Sequence, residues 1–538
     1  MGEHKTSLER RIFKASVFVL IAHLLFKFAG LIQAKMMGHC LTQMEFDVVS
    51  AFAFENCIYM VFLIGEEVLE PSLLPVFMRE LNTESESSAW RFANTVLTLQ
   101  FLLLVVVACL FAAYPDAVVN FLTSWRASSS PEKYALAVKS VRTMAPAVIG
   151  LSLGSTTYVL LNGYKRFFLA AFGDAVWKFC VVGFLVTGVV LAKNNAQMLM
   201  WGLVAGSVCK LATHLLGLRD KLHLFHPVLA LSHPAFKRLC WLALPLLAGI
   251  VMAKIRDEVN NVYLLSKLDA SGLMQANSMG RKLQSTLLFV VPYTLSIAVF
   301  PFFCELVDRN DRESLGRLVT RFGRMLLAVF VPFALFVAMG AIPLTSLLFR
   351  GGHFDAQAVQ RTAVSLSFYT FMLPAAAIEM LVMQAFFANR RMVAVTVIGI
   401  LFSSLSILAS WLGLRVCGGH DLMLLAFIAG GFTLSRCFKC LTLVEMLKQN
   451  APVFPFAATA GYLARVLVAS GIAGAAGWML LHQMGAVNGL SGRMGDAVKL
   501  VVSGGFFAGL YAALAHFLQI TELRELVVFA VQKLRKRA

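Results

Sequence analysis

Long apolar segments separated by short polar ones dominate the pattern of this chain. An α-helix needs about 20 residues to cross a hydrocarbon core of about 30 Å. The apolar segments reach that length and are too long and too weakly alternating for the strands of a membrane barrel. Fourteen spans are predicted, beginning near Ile12, Phe46, Trp90, Leu136, Phe167, Gln197, Phe236, Ser271, Leu315, Phe354, Met392, Asp421, Ala457 and Gly495. The pattern therefore predicts an all-α polytopic membrane protein.

The polar interruptions divide these spans into groups. The longest central one covers residues 219–235 and combines leucines with basic and histidine side chains, as in an amphipathic linker at the cytoplasmic surface. Six spans precede it in residues 1–218 and six follow it in residues 236–450. Residues 451–538 add two further helices and a basic tail. The count suggests a transporter built from two six-helix lobes.

Composition agrees with a membrane protein. Hydrophobic residues make up 59% of the 538 residues, charged residues 14%, and mean hydropathy is +0.76. Soluble domains are about 45 to 50% apolar and about 25% charged. The first apolar segment is longer than that of a signal peptide and is expected to be a retained helix.

The basic residues set the predicted orientation. The net charge is +18, but the basic side chains do not cluster on a soluble region that could bind nucleic acid. With the N-terminus in the cytoplasm, they concentrate in cytoplasmic loops and in the tail from Lys533 to Arg537. This bias follows the positive-inside rule and predicts that both termini are cytoplasmic.

Several spans contain charged residues, most densely at Lys254, Arg256, Asp257 and Glu258. A charge at the bilayer centre costs about 2.5 to 3.5 kcal/mol, so such residues are expected to face one another, a protein interior or water. Residues three or four apart share a helix face, which groups Lys254 with Asp257 and Glu258 and turns Arg256 to another side. The segment points to transport.

The same spacing predicts other partners. Asp174 and Lys178 lie one turn apart and are expected to pair, with a structural role favoured. Glu66 and Glu70 form an acidic stripe on the second span, where Glu55 also lies. Two neighbouring carboxylates raise one another's pKa, which suits a proton or sodium site.

Four basic residues within spans have fewer local partners: Lys27, Arg256, Arg281 and Lys282. We expect them to line a cavity for an anionic substrate, since arginine binds phosphate through a planar fork and lysine supplies a compact charge. The alternative is that they neutralise the acidic residues of the second span.

Enzymatic motifs are absent from the sequence. It has no phosphate-binding loop, no metalloprotease motif and no serine-hydrolase elbow. The ten cysteines give no disulfide framework, and Cys437-Phe438-Lys439-Cys440 lacks a second pair or a histidine partner. The sequence predicts no enzyme activity, no cofactor and no metal.

Short motifs resemble the MurJ (MviN) lipid II flippases of the multidrug/oligosaccharidyl-lipid/polysaccharide exporter superfamily. Residues 348–355, Leu-Phe-Arg-Gly-Gly-His-Phe-Asp, are similar to the family segment L-F-x-R-G-x-F between the ninth and tenth helices. Leu-Pro-Val-Phe at 74–77, Leu-Asn-Gly at 161–163 and Ala-Phe-Phe-Ala at 385–388 match other family positions in the same order. The resemblance covers most of the first 450 residues and implies the 14-helix fold with a central cavity.

The family carries essential basic residues in that cavity. Lys27 matches the first charge of the first-helix pattern, whereas Gln33 and Ala34 replace its Arg-Asp pair. Lys282 takes the position of the eighth-helix arginine, with Arg281 beside it. The arginine pair of the second helix is missing, and the charges of residues 254–258 are additional. The chain resembles a divergent member.

The resemblance implies a flippase that moves lipid II to the outer leaflet of the bacterial inner membrane by alternating access. The expected partners are a polyprenyl diphosphate-linked sugar, membrane lipids, a monovalent ion or proton and cell-wall synthesis proteins. Lys27, Arg256, Arg281 and Lys282 would bind the diphosphate. The implied charge-balancing or ion-coupling residues are Glu55, Glu66, Glu70, Lys254, Asp257 and Glu258. Alternatives are an exporter of another polyprenyl-linked unit, a multidrug antiporter with an acidic cavity, and a non-transporting scaffold with internally paired charges.

Overall fold

Helices form almost all of the chain in a computed structural model that describes residues 25–522, apart from 56, 192–193, 269, 390 and 486–491. In lipid a backbone polar group has no water partner, so each segment satisfies its own N–H and C=O groups as a helix. Side chains accept hydrogen bonds from free N–H groups at several helix starts, as at Ser85, Asn194, Asp311 and Asp355.

The helices form two compact units. Unit 1 comprises Met1–Gln275 and Gly351–His353. Its helices are α1 (25–40), α2 (Gln43–Ser50), α3 (Ile58–Thr83), α4 (Glu86–Ala113), α5 (Pro115–Leu122), α6 (Pro131–Met144), α7 (Ala147–Gly163), α8 (Phe167–Val190), α9 (Asn195–Gly217) and α10 (Pro234–Glu258). Short π and 3-10 turns cover Ala51–Glu55, Leu222–Leu224, Val259–Tyr263 and Leu265–Lys267. A core of aromatic and aliphatic side chains, including Phe77, Trp90 and Leu160, joins α3, α4 and α7.

Unit 2 comprises Ala276–Arg350 and Phe354–Ala538. Its helices are most of α11 (Leu273–Asp308), then α12 (Arg312–Met339), α13 (Ala341–Phe349), α14 (Ala356–Thr370), α15 (Leu373–Ala388), α16 (Met392–Val416), α17 (Asp421–Lys448), α18 (Phe456–Gly485) and α19 (Gly492–Phe517). Phe330, Phe386 and Leu443 belong to a core shared by α12, α15 and α17.

The last two helices pack against each other and against α12. The hydroxyl of Tyr511 donates to the carbonyl oxygen of Ala328 at 2.7 Å, and the hydroxyl of Tyr462 donates to that of Arg324 at 2.9 Å. These buried tyrosines fix α18 and α19 to unit 2. The two units are defined by packing alone. The predicted division of the helices into two lobes by the linker at residues 219–235 therefore stays a prediction.

The helical membrane fold predicted from the sequence is confirmed. Within the described residues, nine helices are long and apolar enough to span a membrane, or up to twelve when each bent helix pair counts as one span. The other two predicted spans correspond to α1 and α11. Since the start of the first span near Ile12 lies outside the described residues, the count of fourteen stays a prediction.

Three spans bend where the sequence has proline. The bends measure 48° between α6 and α7, 44° within α10 and 44° between α14 and α15. They fall at Pro146, at position 245 and beside Pro374. Proline removes a backbone donor and clashes with the preceding turn, which accounts for the broken helices. Pro71 and Pro75, by contrast, lie inside the continuous helix α3.

The linker at residues 219–235 runs along α4 with one 3-10 turn. Asn94 donates to the carbonyl oxygen of Leu224 at 2.9 Å, while the amides of Val228 and Ala230 donate to threonine side chains of α4. The carboxylate of Asp220 accepts two hydrogen bonds from Arg166, which lower the pKa of Asp220 to about 2. The linker is thus attached to unit 1 by polar contacts.

Candidate functional site

The charges at the end of α10 pair differently from the prediction. Lys254 lies 2.6 Å from Glu67 of α3, and Arg256 lies 2.7 Å from Asp257. The expected separation of Arg256 from Asp257 is therefore wrong, whereas the grouping of Lys254 with Asp257 and Glu258 on one helix face stays a prediction. Helical spacing describes only one helix, whereas the neighbouring α3 supplies the acid for Lys254.

The other acidic residues predicted on these helices are partly placed. Glu66 and Glu258 are partly buried on α3 and α10. The side chains of Glu55 and Glu70 lie outside the described part of the structure. Unit 1 therefore has acidic and basic side chains in contact where α3 packs against α10.

A mostly buried ion pair lies between α8 and α9. Asp174 is 2.5 Å from the ammonium group of Lys210, whose side chain is fully buried. The Lys210 ammonium also lies 4.5 Å from the ring centre of Phe62. The predicted pairing of Asp174 with Lys178 is wrong, and the ammonium of Lys178 lies 3.3 Å from the ring centre of Phe26.

His214 lies one turn after Lys210 and is fully buried. Its Nε2 is 3.0 Å from the carbonyl oxygen of Ala170, and its Nδ1 is 3.0 Å from both the carbonyl oxygen of Gly154 and the hydroxyl of Thr157. The imidazole thus connects α7, α8 and α9. The buried histidine therefore holds these three helices together.

Helix α11 carries two of the predicted substrate-binding residues. Its first turn is capped by the buried Asp47 of α2, whose carboxylate accepts from the amides of Gly272 and Gln275 at 2.6 and 2.8 Å. Arg281 and Lys282 are both partly buried on this helix. Lys27, the third basic candidate, is partly buried on α1.

Aromatic contacts position Arg281 within unit 2. Its guanidinium carbon lies 5.5 Å from the ring centre of Phe432. That ring meets Tyr369 edge to face, and the hydroxyl of Tyr369 donates to Asn277 at 2.9 Å. Since Asn277 is one turn before Arg281, this chain of contacts sets the position of the arginine.

Phe432 also contacts a second arginine. The guanidinium carbon of Arg436 lies 5.7 Å from the same ring, and its Nη1 lies 2.7 Å from both carboxylate oxygens of Glu379. The ammonium of Lys439 is 2.7 Å from Glu379 as well. We call Glu379, Arg436 and Lys439 the α15–α17 triad. It contains two cations and one buried acid.

The sequence analysis predicted no partner for Glu379 and did not single out Lys210. The signal was present, because a lone acid in a span needs a cation and Arg436 and Lys439 lie three residues apart on one apolar helix. Arg361, another basic residue within a span, pairs with Asp421 at 2.5 Å. Among the described residues, no group of three or more His, Cys, Asp or Glu side chains is arranged to hold a metal.

A family model described as "Lipid II flippase MurJ" matches residues 33–490. The chain belongs to this MurJ family. Lipid II flippase MurJ of Burkholderia cenocepacia is 24% identical over 388 residues, which cover 70% of this chain and 74% of the relative. A probable lipid II flippase MurJ of Bdellovibrio bacteriovorus is 22% identical over 448 residues, covering 82% and 83%. These identities fit a divergent member of the MurJ family.

Solved structures show the same fold. An inward closed lipid II flippase MurJ has a TM-score of 0.72 at 15% identity, covering 93% of this chain and 99% of the other. An inward-facing multidrug resistance MATE family transporter of the MOP superfamily has a TM-score of 0.65 at 11% identity, covering 81% and 98%. The chain therefore shares the fold of these two transporters.

The MurJ-like segment at residues 348–355 makes a tight turn. Gly352 has a φ of +57°, and a β-carbon at this position would lie 2.2 Å from the carbonyl oxygen of His39. The amide of His353 donates to that same oxygen at 3.2 Å. Only glycine fits both the backbone angle and the close approach to α1, which explains one position of the motif.

Proposed function

We propose that this MurJ-family chain moves lipid II from the inner to the outer leaflet of the bacterial inner membrane by alternating access. The observation that carries the proposal is the family match across residues 33–490, which includes both compact units. The activity is transport of a lipid and involves no catalytic step. Charged side chains within apolar helices support it, since such residues mark substrate and ion pathways.

The proposed ligand group is the diphosphate. The basic side chains of Lys27, Arg256, Arg281 and Lys282 would contact it during transport. Arginine suits this role because its planar guanidinium forms two parallel hydrogen bonds with phosphate. Arg256 forms an ion pair with Asp257. On binding, the phosphate would replace the Asp257 carboxylate as the partner of Arg256.

Acidic partners keep these cations in place when the substrate is absent. We assign this role to Asp257 and Glu258 of α10 and to Glu55, Glu66 and Glu70 of the second predicted span, while Lys254 balances acidic charge. The same carboxylates are candidates for coupling to a proton or monovalent ion. The membrane potential is a second energy source, worth about 2.3 kcal/mol per charge per 100 mV.

The proposed orientation places both termini in the cytoplasm. The bias of basic residues towards one set of loops supports it. In this orientation the linker at residues 219–235 lies on the side where lipid II is made, and the transported head group is delivered to cell-wall synthesis proteins on the opposite side.

Complementation tests the proposal. The full chain is expressed in bacteria depleted of their own lipid II flippase, and growth and membrane abundance of the protein are measured. We expect growth with the unmodified chain and loss of growth with Arg256→Ala or Lys282→Ala. Failure of a well-expressed unmodified chain contradicts the lipid II assignment, and full activity of both variants contradicts the assigned phosphate contacts.

A further inference from the structure

The α15–α17 triad has a surplus positive charge inside the apolar part of unit 2. Arg436 and Lys439 share the single carboxylate of Glu379, which is 3% exposed. Both cations lie on α17, and the acid lies on α15. An uncompensated charge in an apolar setting is costly, and it persists where water or an anionic ligand completes the pairing.

The donor groups of the triad are only partly used. A guanidinium has five N–H donors and an ammonium has three. Glu379 accepts from Nη1 of Arg436 and from the ammonium of Lys439. The Nε of Arg436 is buried and has no hydrogen-bond partner within the described part of the chain. The Arg436 side chain is still 32% exposed, so a ligand can reach its outer edge.

A third cation, Arg281, contacts the same aromatic ring as Arg436. Arg281 of α11 and Arg436 of α17 both lie within 5.7 Å of the Phe432 ring centre. The buried contact between Tyr369 and Phe432 holds that ring. Three basic side chains therefore gather around one aromatic ring and one buried acid.

We propose that Arg436 and Lys439 bind a phosphate group of the transported lipid together with Arg281, and that Glu379 neutralises only one of the two positive charges of α17. This inference rests on the proposed function. A phosphate supplies the negative charge that the triad lacks. It also accepts hydrogen bonds from the N–H groups of Arg436 that Glu379 leaves unused. The pair of Lys448 with Glu445, also in unit 2, has no such surplus.

Binding to the purified full-length chain tests the assignment. The probe is farnesyl diphosphate, with farnesol as the matched probe that lacks phosphate. We expect Lys439→Met and Arg436→Gln to weaken farnesyl diphosphate binding about tenfold or more, the effect of losing one charge-assisted contact. Farnesol binding is expected to stay unchanged, and Lys439→Arg is expected to bind the diphosphate within about threefold of the unmodified chain.

Lys448→Met is the matched control. Lys448 lies on the same helix and pairs one to one with Glu445 near the helix end, so its loss is expected to leave the Kd unchanged. Unchanged diphosphate affinity in both triad variants overturns the proposal. If the triad served only to hold α15 and α17 together, Glu379→Gln would weaken diphosphate binding as much as Lys439→Met does. That result also overturns the proposal. The proposed site predicts that Glu379→Gln binds at least as tightly as the unmodified chain.

The two proposals fail in different ways. If the unmodified chain binds farnesyl diphosphate through the triad but does not complement flippase depletion, the lipid II assignment fails and the phosphate site stands. If the chain complements depletion and the triad variants bind and complement normally, the triad assignment fails and the lipid II function stands.

Discussion

At the scale of residues, ion pairs between helices prevail over those suggested by spacing along one helix. Lys254 pairs with Glu67 and Asp174 pairs with Lys210, although each had a closer candidate in sequence. The sequence could predict that charges within spans need partners, because their exposure to lipid is costly. It could not predict which partners, because those depend on which helices become neighbours.

The pair Asp174–Lys210 provides a test at this scale. Lys210→Met leaves a carboxylate in a mostly buried site without its cation, and we expect the free energy of unfolding to fall by about 3 to 5 kcal/mol. The measurement is thermal unfolding of the purified chain in detergent. The double variant with Asp174→Asn removes both charges and should recover most of the loss. Equal stability of the single and double variants would show that the ion pair is not the cause.

At the scale of elements, small residues let helices of unit 1 approach closely. A β-carbon at Gly206 of α9 would lie 2.7 Å from the carbonyl oxygen of Trp177 on α8, and one at Gly150 of α7 would lie 2.7 Å from the hydroxyl of Ser207. Such contacts are typical of membrane helices, where close packing drives association. The sequence predicts the helices and shows where their prolines and glycines lie. It does not distinguish glycines at helix contacts from glycines that face lipid.

Alanine substitutions at two glycines of these helices distinguish the effect of close packing on stability from the effect of helix propensity. Gly206→Ala places a methyl group against backbone atoms of Trp177, so we expect a loss of about 1 to 3 kcal/mol in stability. Gly183→Ala on α8 meets no atom within 4 Å and should be neutral or stabilising by up to about 1 kcal/mol. Thermal unfolding of both variants in detergent checks this difference. Similar effects of the two substitutions would contradict the close contact of α8 and α9.

At the scale of the whole molecule, periodicity and motifs were sufficient for the fold and the family. Apolar segments of spanning length gave the helical membrane fold, and the glycine turn at residues 351–352 belongs to the motif that pointed to MurJ. The substrate-binding residues were harder to predict, because Gln33 and Ala34 replace expected charges of α1. The pairing within the α15–α17 triad depends on the contact between α15 and α17, which the sequence alone does not predict.

The orientation is testable on the intact molecule. In a chain whose ten cysteines are replaced by serine or alanine, His226→Cys puts one thiol on the linker at residues 219–235. We expect an impermeant maleimide to label it in inverted inner-membrane vesicles and not in intact spheroplasts. Labelling in spheroplasts would place the linker outside and reverse the proposed topology.

Lipid II movement in reconstituted vesicles tests the central claim most directly. The purified chain is placed in proteoliposomes with lipid II in both leaflets, and an impermeant enzyme added outside modifies the accessible head groups. With a membrane potential imposed, we predict that the modified fraction rises above that of the outer leaflet alone, and that Lys282→Ala slows this rise. A modified fraction that stays at the outer-leaflet value, as in protein-free vesicles, would contradict the account.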